Sequence, residues 1–205
     1  MAFLFFLDFV REVMKKYPFT IKQADDSGWT PLHIAAQMGN EKFVKLLLEN
    51  DNSHAYVKNY EGLSAFHIAA KEGNVNVMKE LITRSPDIYE LLDNKGKTAF
   101  HAAIESGKDE VVSFLLTRLK FEGLINEQDK EGNTSMHLAT IKRLNEEVIL
   151  LLEKGEGLDL NAKNKEGFTT LDHILLRKNL NDFQKVRPFC HNLLKVVLQH
   201  NLKEF

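Results

Sequence analysis

Gly28-Trp29-Thr30-Pro31-Leu32-His33-Ile34-Ala35-Ala36-Gln37-Met38-Gly39 is the stretch from which the rest of the chain can be read. Its frame returns as Gly62-Leu63-Ser64-Ala65-Phe66-His67-Ile68-Ala69-Ala70 and as Gly96-Lys97-Thr98-Ala99-Phe100-His101-Ala102-Ala103. A fourth copy is Gly132-Asn133-Thr134-Ser135-Met136-His137-Leu138-Ala139, and a looser fifth is Gly167-Phe168-Thr169-Thr170-Leu171-Asp172. The lead glycines lie 34, 34, 36 and 35 residues apart. Self-similarity at such a period marks a chain of stacked structural repeats.

The physical chemistry of each copy agrees with that reading. Asp25, Asn59, Asp93, Asp129 and Asn164 stand three residues before each glycine, as side chains that bond their own backbone in a turn do. The glycine supplies a position where φ > 0 is accessible. Thr30, Ser64, Thr98, Thr134 and Thr169 follow where a hydroxyl caps a helix, an interaction worth about 1 kcal/mol. Pro31 comes at the first helical position, where its missing N–H is harmless. The alanine pairs suit a short helix that must approach its neighbours closely.

A second helix is predicted in each copy from apolar residues at i, i+3 and i+4. These are Val44/Leu47/Leu48, Met78/Leu81/Ile82, Val112/Leu115/Leu116 and Val148/Leu151/Leu152. One helix pair cannot bury such a stripe alone, so each copy is the lid of the next. The T-P-L-H-x-A-A core at this period resembles the ankyrin repeat over nearly the whole chain. The resemblance implies an all-α solenoid of stacked helix-turn-helix pairs with short hairpin-like fingers.

One elongated domain is expected from the 205 residues, divided as a partial N-terminal repeat at 1–24 and repeats at 25–58, 59–92, 93–128 and 129–163. A divergent repeat with a C-terminal cap closes the chain at 164–205. Composition is ordinary for a folded protein, with 43% apolar and 27% charged residues. A formal charge of −2 offers no electrostatic footprint for nucleic acid or an anionic membrane. With Cys190 as the single cysteine, no internal disulfide can form, and a reducing, cytoplasmic setting is expected. No stretch approaches the length of a membrane span, so attachment to the cytosolic face of a membrane would need a partner.

The N-terminal Met-Ala-Phe-Leu-Phe-Phe-Leu run lacks the basic start and cleavage site of a signal peptide. Shifting the second repeat back by 68 residues lays Val77–Pro86 over Phe9–Pro18 and puts Val10, Val13 and Met14 on the second-helix stripe. The chain therefore reads as opening inside a repeat, with Phe3, Leu4, Phe5, Phe6 and Leu7 at its open end. Either an upstream repeat would cover that end, or it docks on something, a second copy included.

Further along, Arg143 stands where Gly39, Gly73 and Gly107 end their helices, which predicts an irregular join near residues 140–146. The fifth copy has Asp172 for histidine and Ile174-Leu175 for the alanine pair. An inserted polar stretch from Arg177 to Gln184 precedes a predicted final helix opened by Pro188.

Little in the sequence carries catalytic chemistry. His33, His67, His101 and His137 occupy one repeat position, but helices pack about 8–10 Å apart. Ligands of one zinc ion sit within about 4 Å of each other, so stacked histidines cannot share one. The resemblance implies a structural role for this histidine, bonding the Thr turn to neighbouring backbone. Asp172-His173 and Cys190-His191 are adjacent pairs whose side chains diverge on a helix. No phosphate loop, H-E-x-x-H motif or calcium ladder is present. Neither catalysis nor a cofactor is expected.

What remains is surface. The resemblance implies that protein partners meet the finger tips and inner helices on the concave side. Carried over residue by residue, these positions are Trp29, Gln37 and Met38; Tyr60, Leu63, Lys71 and Glu72; Lys97 and Glu105; and Asn133, Ile141 and Lys142. Aromatics and Met are enriched in interface cores, although Trp29 and Tyr60 could equally pad neighbouring fingers. Asn74–Ile82, Ser85-Pro86-Asp87, Tyr89–Gly96 and His54-Ala55-Tyr56-Val57, with Gly28–His33, further resemble plant ankyrin proteins of the accelerated-cell-death type. That narrower resemblance covers roughly residues 9–175. It implies a scaffold in defence or cell-death signalling, whose C-terminal membrane region, opening with Pro-Gly-Gly, has no counterpart here.

Overall fold

The computed structural model describes residues 2–17, 20, 22–49, 51–118, 124–142, 151 and 157–175. Within them the side chains of 2–8, 118 and 174–175 are left aside. The join beyond Lys142, the stripe residues Val148 and Leu152, and the final helix with Pro188 and Cys190 lie outside the described residues.

The described chain is helical. After α1 (Ala2–Lys16) come three pairs: α2 (Pro31–Gln37) with α3 (Glu41–Leu47), α4 (Ala65–Glu72) with α5 (Val75–Arg84), and α6 (Ala99–Glu105) with α7 (Asp109–Arg118). Then follow α8 (Ser135–Ile141) and α9 (Thr170–Leu175). The connections at Pro86–Glu90 and Leu124–Asn126 are 3-10 turns, as is Asn52–Tyr56. The described residues form no sheet. Isolated antiparallel bridges, Lys58–Ser64 and Lys163–Thr169, close two of the fingers.

The turn before each inner helix is built the same way five times. The Oδ1 of Asp25, Asn59, Asp93, Asp129 and Asn164 accepts the backbone N–H groups two and four residues on, at 2.7–3.1 Å. The glycine N–H closes the turn on the carbonyl of the same Asp or Asn. Short polar side chains that reach their own backbone thus replace the ladder of a true hairpin.

Residues 1–103 and 104–205 form two compact units, and the division falls inside α6. In the first, α2 packs on α3 and α4, α4 on α5, α3 on α5, and α1 on α3. Leu32, Val44, Leu48, Phe66, Met78, Leu81 and Ile88 are fully buried there, each contributing about 1.5–3 kcal/mol of apolar transfer. The predicted alanine pairs Ala35-Ala36 and Ala69-Ala70 have no exposed surface. On α1, Met14 is buried and Val10 and Val13 are half-buried. In the second unit α8 packs on α9 and on the Leu124–Asn126 turn, over a core that includes Ile104, Val111, Val112, Leu115, Met136 and Leu151.

Consecutive copies of the first unit are also stitched by polar side chains. Asn74 Nδ2 donates to the carbonyls of Ala36 and Gln37, ending α2 against the start of α5. Arg84 pairs with Glu80 and donates to the Leu48 carbonyl at 3.1 Å. These contacts cap carbonyls that the helix itself cannot satisfy.

Candidate functional site

The repeated histidine is the hinge between local and long-range structure. In each of the first four copies its Nδ1 accepts from the capping residue, whose hydroxyl lies 2.8–2.9 Å away. The backbone N–H of Thr30, Ser64, Thr98 and Thr134 donates to the same nitrogen at 3.0–3.3 Å. With Nδ1 accepting, the other ring nitrogen is left to donate. Nε2 of His33 meets the Leu63 carbonyl at 3.0 Å, that of His67 meets Lys97 at 3.1 Å, and that of His137 meets Phe168 at 3.1 Å.

Both nitrogens are therefore used only by a neutral ring. Burial lowers the pKa of His33 and His137 and brings His67 to about 4, against the opposing pull of the carbonyls they meet. In the fifth copy Asp172 Oδ2 accepts from both the N–H and the hydroxyl of Thr169, at 2.8 and 2.7 Å. Those bonds hold its carboxyl below the usual range. The local cap is kept, and no N–H remains to tether a further finger. A metal role is foreign to this geometry, and no described cluster of three or more His, Cys, Asp or Glu could hold an ion.

The twelve surface positions named from sequence divide into two groups. Trp29 is half-buried, its ring 6.0 Å from that of His33. Leu63 and Lys97 are half-buried and lend their carbonyls to the histidines. Asn133 accepts from Asn164 Nδ2 at 3.1 Å, and Glu105 pairs with Lys142 at 3.5 Å. These six side chains or backbones serve the fold as well as facing outward. Gln37, Met38, Tyr60, Lys71, Glu72 and Ile141 are exposed. Met38 and Tyr60 each keep 72% of their surface, and Ile141 keeps 46%.

Of the two aromatics, Trp29 leans on His33 of its own copy, whereas Tyr60 reaches the neighbouring finger. The Tyr60 N–H donates to Ser27 O at 3.1 Å, and its ring edge closes over Gly28. One finger's aromatic is thereby seated on the finger before it, with most of its ring left open.

One surface residue was hidden by the repeat itself. Ile34 occupies the position of Ile68, which is 2% exposed, yet Ile34 is 45% exposed. α4 packs on α2, the inner helix before it, whereas α2 packs mainly on α3 and on α4, the inner helix after it. Ile34 and Met38, four residues apart, share one face. The repeat spacing gives both isoleucines the same place and no signal that separates them.

No described helix is long and apolar enough to cross a membrane. Residues 27–60 match a family model for the ankyrin repeat, residues 51–123 one for ankyrin repeats in three copies, and residues 100–153 one for ankyrin repeats in many copies. Together the matches run over residues 27–153, more than half of the chain. No curated protein matches it.

Proposed function

We propose that this chain, which belongs to the ankyrin-repeat proteins, is a non-catalytic scaffold that binds protein partners through its finger tips and inner helices. The observation that carries the reading is the exposure of Met38 and Tyr60, large side chains on two successive copies. Side chains of this kind supply anchoring energy in interface cores. The five copies are read as one binding module, because a division inside a seven-residue helix is unlike the exposed linkers that separate domains. The narrower role in plant defence or cell-death signalling, and a cytoplasmic setting, rest on the residue patterns quoted above and the single cysteine.

Capture of partners from a cell extract by the intact chain, repeated with Met38→Ala and Tyr60→Ala, tests the reading. The variants should lose at least one specifically captured protein while their unfolding free energies stay within about 0.5 kcal/mol of the parent. Unchanged capture by the double variant would sink it.

Self-association is the second reading, favoured by Phe9, which is exposed on α1. Phe3–Leu7, on which the sequence argument for this end rested, lie outside the described side chains. Sedimentation at micromolar concentration should then show a dimer that Phe9→Asp converts to monomer. A monomeric parent chain would end this alternative.

A further inference from the structure

The exposed apolar residues of the first two copies have a charged surround that the later fingers lack. Asp26 and Glu61 are exposed at the tips, and among the described residues no cation pairs with either. They lie one residue from Ser27 and Tyr60, whose backbones are bonded to each other. The Tyr60 ring, seated on Gly28, thus stands on the same two adjoining fingers that carry these carboxylates. Lys58, the nearest lysine in sequence, donates to the Leu92 carbonyl at 2.7 Å. In the second unit each tip glutamate instead has a lysine beside it, as Lys130-Glu131 and Lys165-Glu166.

An aromatic face beside carboxylates selects a guanidinium. The planar cation stacks on the ring while its N–H groups meet the acids. The apolar pair Ile34 and Met38 lies along α2, whose seven residues span about 10 Å. An extended chain covers that distance in about three residues.

We propose that the first two copies take an extended segment of a protein partner, with an arginine over Tyr60 beside Asp26 and Glu61 and a bulky apolar side chain about three residues away against Ile34 and Met38. This rests on the protein-binding reading above and adds the chemistry of the partner. Charge complementarity selects the arginine, and the exposed α2 face selects the apolar anchor.

Fluorescence anisotropy on the intact chain tests it, using a labelled peptide with arginine and leucine three residues apart in a glycine-serine background. Replacing the peptide's arginine by glutamate should weaken binding about tenfold. Asp26→Asn with Glu61→Gln should weaken the arginine peptide about fivefold, more at low salt than at high. Met38→Ala should weaken it at every salt concentration. Lys130→Gln with Glu131→Gln, in the second unit, should leave it unchanged. Asp26→Arg with Glu61→Arg should turn the preference toward the glutamate peptide, which a mere loss of fold cannot do.

Equal binding of the two peptides, indifference to neutralising Asp26 and Glu61, or no binding by either peptide overturns the inference. If a neutral or acidic peptide binds and Met38→Ala removes it, this inference falls while the scaffold reading stands. If Met38→Ala and Tyr60→Ala alter neither peptide binding nor partner capture, both fall. A mass increase with concentration that Tyr60→Ala abolishes would assign the surface to a second copy instead.

Discussion

In the first unit His67 does two jobs with one ring; in the last described copy Asp172 does one of them. Both accept the capping N–H and hydroxyl at the start of an inner helix. Only His67 also reaches the next finger, through Nε2 and the Lys97 carbonyl. Capping a helix and tethering a neighbour are thus separable duties of one repeat position. A carboxylate suffices for the first, because the first needs only an acceptor. The second needs an acceptor and a donor on opposite edges of one side chain, which neutral imidazole provides.

The sharpest way to break this contrast is acid. The folded-state pKa of His67 is about 4 against 6.5 unperturbed, so between those values the unfolded chain binds more protons. Stability therefore rises with pH through that window and is lost as pH falls from 6.5 toward 4. For His67 alone the effect is on the order of 3 kcal/mol at 1.4 kcal/mol per pH unit, with His33 and His137 acting in the same direction. The carboxyl of Asp172 is also lowered, from 3.8, so its cap begins to fail only below that pH. Amide hydrogen exchange at pH 7, 5 and 4 should show the inner helices of the first unit opening before Thr170. Simultaneous loss would contradict the assignment.

Glycine replacement gives the next largest difference. At Gly62 (φ +81°) an added Cβ would run into the backbone nitrogen and side chain of Asn94. At Gly167 (φ +83°) it would meet no atom of the described residues within 4 Å. Gly167→Ala should cost only the left-handed penalty, about 1–2 kcal/mol. Gly62→Ala should add an overpacking cost of about 1–3 kcal/mol, so urea midpoints should separate the two.

Exchanging the acceptors is a smaller test. His67→Asp keeps the cap but leaves the half-buried Lys97 carbonyl with the Asp93 N–H alone and puts a carboxylate where His67 is buried, a loss of about 1–3 kcal/mol. Asp172→His should stay within about 0.5 kcal/mol, since no described carbonyl awaits its Nε2. Thermal unfolding of both variants distinguishes a tether from a cap. Smallest of all, Ser64→Ala and Thr169→Ala should each cost about 1 kcal/mol. A much larger cost at Ser64 would mean that its hydroxyl serves the tether as well.

What could be read early was what is local. The five turns depend on side chains bonding their own backbone two and four residues away, and the caps on a residue three positions on. Spacing exposes both. The surface was less legible, because exposure belongs to the neighbour and not to the residue. Trp29 and Tyr60 both belong to fingers, yet the first, just after its glycine, sinks against His33, and the second, two residues before its own, stays open over Gly28. Lys97 and Asn133 face outward in the frame and are engaged by the copy beside them.

The amino-acid sequence alone determined the repeat, its period, its turn and cap chemistry and the helical class, since each follows from contacts a few residues long repeated in register. Tertiary structure decided which copies of one position are core and which are surface. Ile34 and Ile68 carry the same side chain in the same frame, but α4 has the inner helix α2 packed before it, whereas the helix before α2, α1, packs on α3, and Ile34 stays exposed. Water is excluded only where a second helix arrives, and that depends on what is stacked alongside.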